Sequence, residues 1–117
     1  MYSKKIDNEI KTHKAKINEL DNHLNIEKKK LKRIDEMQES LYELNKNMSQ
    51  CIELLSKSIV GGNSAKMFSE MENKNRTFYI KSNSILEEES TRTMKKINGI
   101  YKEKINEIEK SKKEEKE

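Results

Sequence analysis

The sequence predicts an all-α fold: a long antiparallel two-helix hairpin, coiled-coil-like, that turns at Gly61-Gly62. Apolar residues recur in steps of three and four along most of the chain. Proline is absent, and two of the three glycines stand side by side near the middle. Proline inside a helix removes a hydrogen bond and clashes with the preceding turn, and glycine is a poor helix former. Almost nothing here interrupts helix propagation except that one pair.

The first helix is expected over residues 3–59. Its apolar stripe runs Ile6, Ile10, His13, Ile17, Leu20 and Leu24, breaks at Glu27, and resumes at Leu31, Ile34, Met37, Leu41, Leu44, Met48, Ile52, Leu55 and Ile59. Such steps hold side chains on one helix face, and a mean spacing near 3.5 belongs to coiled coils. The steps around Met37 and Met48 depart from a strict heptad, pointing to a locally straightened hairpin. The turn is expected over 60–63, where Gly61 can close one helix and Asn63 or Ser64 can open the next.

The second helix is expected over 64–110, with a rougher stripe through Ala65, Phe68, Met71, Phe78, Tyr79, Ile85, Leu86, Met94, Ile97, Tyr101, Ile105 and Ile108. Asn75, Ser82 and Thr93 occupy or flank its seam. The hairpin spans 1–112, and the charged stretch 111–117, without an apolar residue, is expected to fray. Folding the chain back at the glycines brings Leu55 opposite Phe68, Ile52 opposite Met71, and Leu44 opposite Phe78 and Tyr79. Leu41, Leu44, Met48, Ile52, Leu55, Met71, Phe78 and Tyr79 are therefore the candidate seam and partner-binding residues. Further apolar side chains, such as Ile26, Leu54, Met67, Ile80 and Ile100, fall off the central strip. An isolated helix pair has no third layer to cover them, so a homo-oligomer or a complex with another helical protein is expected.

Composition narrows the function. Hydrophobic residues make up 32% of the chain and charged residues 39%, against roughly 45–50% and about 25% in ordinary globular domains. That is enough to line a seam, not to wrap a thick core. The net charge of +4 comes from 25 Lys and Arg against 21 Asp and Glu, and only Arg33, Arg76 and Arg92 are arginine. Interleaved Lys and Glu describe a solvated helix face better than a phosphate-binding one, and no nucleic-acid partner is expected. Cys51, the single cysteine, lies among Met48, Ile52 and Leu55, where packing accounts for it.

Catalytic patterns are missing: there is no P-loop, dinucleotide fingerprint, GxSxG or Cys-x-x-Cys. His13 and His23 stand too far apart along one helix to share a metal, and His13, on the seam, reads as a partly buried packing residue. No enzyme, cofactor or metal is expected. No apolar run is long enough to span a bilayer, and the first residues lack the apolar core of a signal peptide. The expectation is a chain made in the cytoplasm, without membrane insertion.

Around the turn the sequence reads Val60-Gly61-Gly62-Asn63-Ser64-Ala65-Lys66-Met67-Phe68. Reduced to apolar-x-Gly-x-x-Ala-x-x-Phe, it resembles the turn of the WXG-type (Esx-like) superfamily of bacterial type VII secretion. The resemblance is nearest to the YwqH-like proteins, whose pattern has Trp where Val60 stands. It implies that Gly62 is the motif glycine, Ala65 a close-packing position of the second helix, and Phe68 a plug under the turn. It also implies a function: a small accessory or targeting protein that binds the helical N-terminal domain of an LXG-like toxin, shielding it before secretion. A second small accessory protein would be a further partner. The Tyr-x-x-x-Asp/Glu signal of many secreted members is absent at its expected place, since Ile105 follows Tyr101 at that spacing. Export would then be through the type VII system in complex with a partner that carries the signal. The residues alone leave a second reading open, a self-associating coiled-coil protein with a structural or tethering role.

Overall fold

A computed structural model describes residues 2–59 and 61–115, with the side chains of 4–59 and 61–114. It contains two helices, α1 (Tyr2–Ser58) and α2 (Ser64–Glu115), packed against each other as a helical hairpin. The motif position Val60 lies outside the described residues, as do Lys116 and Glu117.

Local chemistry places the turn. In the last turn of α1 the hydroxyls of Ser56 and Ser58 bond back to the carbonyls of Glu53 (2.7 Å) and Leu54 (3.0 Å), one turn earlier in the helix. The Ile59 amide still bonds the Leu55 carbonyl at 3.0 Å. Gly61 (φ 120°) and Gly62 (φ 61°) then reverse the chain. Both take positive φ, which side chains other than glycine enter only with strain. The Asn63 carbonyl accepts the first bond of α2, from Met67 at 3.0 Å.

The packing falls into two units, each built from a piece of both helices: Met1–Lys32 with Thr91–Glu117, and Arg33–Ser90. In the first unit Leu20, Leu24 and Ile97 are buried, and Glu27, the expected polar break, is half-buried with its carboxylate held by Lys30 at 3.3 Å. In the second unit Ile34, Ile52 and Phe68 are buried. Each such side chain contributes about 1.5–3 kcal/mol, and the described residues offer only these six, against fifteen large apolar side chains that are exposed. The off-strip residues Ile26, Leu54, Met67 and Ile80 are among the exposed, while Ile100 is half-buried.

The C-terminal end differs from the sequence expectation. α2 does not give out near residue 110 but runs to Glu115, with Ser111 buried and Glu114 bonded to His13. Polar contacts with α1, not apolar burial, hold those last turns.

The glycines give a stability test. No atom lies within 4 Å of a Cβ built on Gly61, Gly62 or Gly99, so only backbone conformation and helix propensity set the effects. Gly62→Ala is expected to cost roughly 1–2 kcal/mol and Gly61→Ala more, because φ 120° lies outside the left-handed helical well. Gly99→Ala, in the exposed middle of α2, should stabilise by about 0.5–1 kcal/mol. Urea denaturation of the three variants checks both the order and the change of sign.

Candidate functional site

In the second unit the stripe read from the sequence and the seam used by the helices separate. The α1 side chains turned toward α2 are Ile34, Gln38, Leu41, Asn45, Ser49 and Ile52, all buried or half-buried. Met37, Leu44, Met48 and Leu55, expected in that seam, stand beside it and are exposed, Leu44 at 52% and Leu55 at 44%. On α2 the half-buried residues include Met71, Glu72, Asn75, Tyr79, Ser82, Asn83 and Leu86, whereas Phe78 is 58% exposed. The physical reason lies in the irregular steps: continuing 3,4 spacing from Ile34 lands on Gln38 and Asn45, and the apolar residues fall one position earlier.

Polar groups inside the seam find each other. Gln38 Nε2 donates to Asn83 Oδ1 (3.3 Å), and Asn83 Nδ2 to Glu87 Oε1 (3.1 Å). Asn75 Nδ2 lies 3.2 Å from both the Asn45 carbonyl and Ser49 Oγ, and Ser49 Oγ donates to Glu72 Oε2 at 3.3 Å. This ladder joins the helices where apolar contact was expected.

Beside the ladder the displaced residues form an open groove. One opening of about 750 Å³ is lined by Met37, Leu41, Leu44, Ile85 and Leu86, with Arg33, Glu36, Ser40 and Ser82. A second, about 370 Å³, is lined by Leu44, Met48, Ile52, Met71, Lys74, Asn75 and Phe78. Leu44 belongs to both, so the floor is continuous from Arg33 to Ile52, about 30 Å at 1.5 Å per residue. The structure thus brings together Leu41, Leu44, Met48, Ile52, Met71 and Phe78 of the candidate set. Tyr79 is half-buried and Phe68 is 6% exposed. Ala65, given a close-packing place by the resemblance, is exposed; Phe68, three residues on, takes the inward direction.

The first unit holds a cluster that the sequence reading missed. His13 is partly buried, as expected, but its role is electrostatic: Nδ1 lies 2.6 Å from Glu107 Oε2 and Nε2 lies 3.0 Å from Glu114 Oε1. Carboxylates only accept, so the species that satisfies both contacts is the imidazolium, with an N–H on each nitrogen. Hydrogen bonds to Glu107 and then Glu114 raise the His13 pKa above 6.5. The bond from His13, helped by Lys16 at 3.3 Å, lowers that of Glu107 below 4.5. Lys110 also reaches Glu107, at 3.8 Å, and elsewhere in the unit Lys104 meets Asp21 at 2.6 Å. The cue was available: folding back about Gly61 sets His13 near residue 109.

Among the described residues no group of three or more His, Cys, Asp or Glu is placed to hold a metal ion, and Cys51 is exposed. No described helix is long and apolar enough to cross a membrane. The fold and the groove define a helical hairpin with one apolar face left open. Compared with models of protein families, with curated proteins and with solved structures, the chain matches none.

The histidine cluster makes stability pH-dependent. The raised His13 pKa adds stability that is complete below 6.5 and lost as pH rises through the folded value; the lowered Glu107 pKa adds stability that is complete above 4.5 and lost as pH falls. The melting temperature should therefore peak between 4.5 and 6.5. His13→Leu should flatten the decline on the alkaline side. A wild-type melting temperature that does not fall between about pH 6 and pH 9 would exclude the contact.

Proposed function

We propose that this chain is a small helical partner protein that completes a helical bundle with another protein, and that it performs no catalysis. The observation that carries the reading is the displacement of Met37, Leu44, Met48 and Phe78 out of the hairpin's own seam onto an open groove. A contiguous apolar face of this kind marks an interaction site, whereas singly scattered apolar residues do not. Nesting a third helix between α1 and α2 buries the face with the geometry of a helix-in-groove complex.

The partner's identity rests on the turn. The Gly62, Ala65 and Phe68 spacing resembles the YwqH-like proteins, and on that resemblance the bound helix belongs to the N-terminal domain of a type VII-secreted LXG-like toxin or effector. The chain would bind it in the cytoplasm and, if exported, leave with it.

Co-expression with such a toxin domain from the neighbouring gene tests the proposal. Leu44→Asp with Phe78→Asp should abolish co-purification while leaving the circular dichroism of the isolated chain unchanged, since both side chains are exposed. Phe68→Asp, at a buried position, should lose helicity as well. Undiminished co-purification of the groove double variant would overturn the assignment of the surface.

A further inference from the structure

We infer that, while no other protein is bound, the groove is covered by a second copy of this chain, the two copies related by a two-fold axis parallel to their helices; the inference rests on the helix-docking reading above. Within Arg33–Ser90 the bonds from Gln38 to Asn83 and from Ser49 to Glu72 fix which residues of α1 and α2 stand level. Counted from them, Arg33 is level with Glu88, and Met37 and Leu44 are each within one residue of the level of Ile85 and Phe78. All four of these apolar side chains are exposed. Heptad spacing keeps Glu36 and Glu43 in line on α1, and Lys74, Lys81 and Glu88 in line on α2. Lys81 stands on the outer side of Phe78, over a separate shallow opening shared with Lys74 and Thr77. Read toward the turn, the α1 margin carries Arg33, Glu36 and Glu43, and the α2 margin Glu88, Lys81 and Lys74, opposite in sign at every place. All six are exposed, and none has an ion pair or hydrogen bond among the described residues; Glu89, beside Glu88, is engaged within its own chain.

A two-fold axis along the groove lays α1 of each copy over α2 of the other without changing level. Met37 then meets Ile85, Leu44 meets Phe78, and Arg33 meets Glu88, each contact made twice. Lys81 comes between Glu36 and Glu43 of the other copy, and Lys74 lies one turn beyond that Glu43. Every helix has only antiparallel neighbours, as in an up-down-up-down four-helix bundle. An axis across the helices at Leu44 and Phe78 would instead set Glu43 against Glu43 and Lys74 against Lys81. Like charges brought together at an interface oppose docking. The covered strip, about 30 Å long and about 20 Å across the two helices, amounts to about 1,200 Å² for both copies together, the lower end of stable interfaces. The pair therefore forms at high concentration and parts on dilution, leaving the groove open to a competing helix.

Sedimentation equilibrium of the full chain, from about 1 µM to about 500 µM, should show monomer passing into dimer. Arg33→Glu and Glu88→Arg should each weaken the dimer at least about fivefold, since each reverses a charge at two symmetric contacts. The two changes together should restore it, and the far-ultraviolet spectrum should stay the same throughout. The weakening should shrink as salt screens the exposed charges. Phe78→Asp should leave only monomer. A monomer at every concentration overturns the second copy and leaves the docking of a foreign helix, read by co-purification, standing. A dimer that survives Phe78→Asp forms elsewhere on the surface and overturns the inference. A charge-swapped double variant no tighter than the single ones overturns it as well.

Discussion

Two helices lying side by side can hide only the strip between them, and every property of this chain depends on how that strip is filled. A third layer would cover whatever the strip leaves out; the hairpin has none. The described core is accordingly a line of six side chains, divided between two units. In the second unit the strip is not even filled with the apolar residues nearest to it. Asn45, Ser49 and Asn75 take the central places, and Leu44, Met48 and Phe78 are set aside. The exposed face is a consequence of that choice.

Polar groups in a seam are weak adhesive. A typical hydrogen bond contributes about 0.5–1.5 kcal/mol net, less than the 1.5–3 kcal/mol of a buried leucine or isoleucine. The pair of helices is held together here by less than its composition could supply, and the remaining apolar surface is available for another chain. The first unit meets the same shortage of apolar residues differently. There Glu107 is nearly buried yet flanked by His13, Lys16 and Lys110, so that a carboxylate becomes tolerable inside the strip.

The hairpin was legible because its signals are local and redundant: no proline, a paired glycine, and apolar residues at helical spacing. The place of the turn follows from the paired glycines, but the left-handed helical value falls on Gly62 (φ 61°) where Gly61 was expected to take it, and the main-chain carbonyl of Asn63 accepts the first bond of α2. The seam was less legible. Met37 and Leu44 look like core when residues are sorted by hydrophobicity, and only the phase of the repeat shows that Gln38 and Asn45 face inward instead. A shift of one residue turns a helical side chain by about 100°, so a small error of phase moves the whole stripe off the interface. His13 was hidden for another reason. Its carboxylate partners lie on the opposite helix, distant in sequence, and spacing along α1 carries no trace of them.

The polar ladder also explains why the apolar stripe stays outside. The sequence contains a competing arrangement: turning α1 by about one residue would carry Met37, Leu44 and Met48 into the seam and bury more apolar surface. That rotation would separate Gln38 from Asn83, and Asn75 from both the Asn45 carbonyl and Ser49. Each polar group left buried and unpaired costs about 1–3 kcal/mol. That penalty falls on Asn75 and Asn83, the ladder members that stay in the seam, and opposes the gain from two or three methionine or leucine side chains. A single polar residue in a coiled-coil seam can set register at some loss of stability; here several act together, and what they set is rotation. The ladder keeps the hairpin from satisfying itself. Replacing its polar members with leucine would strengthen the pair and, by the same step, remove the constraint that holds the groove open.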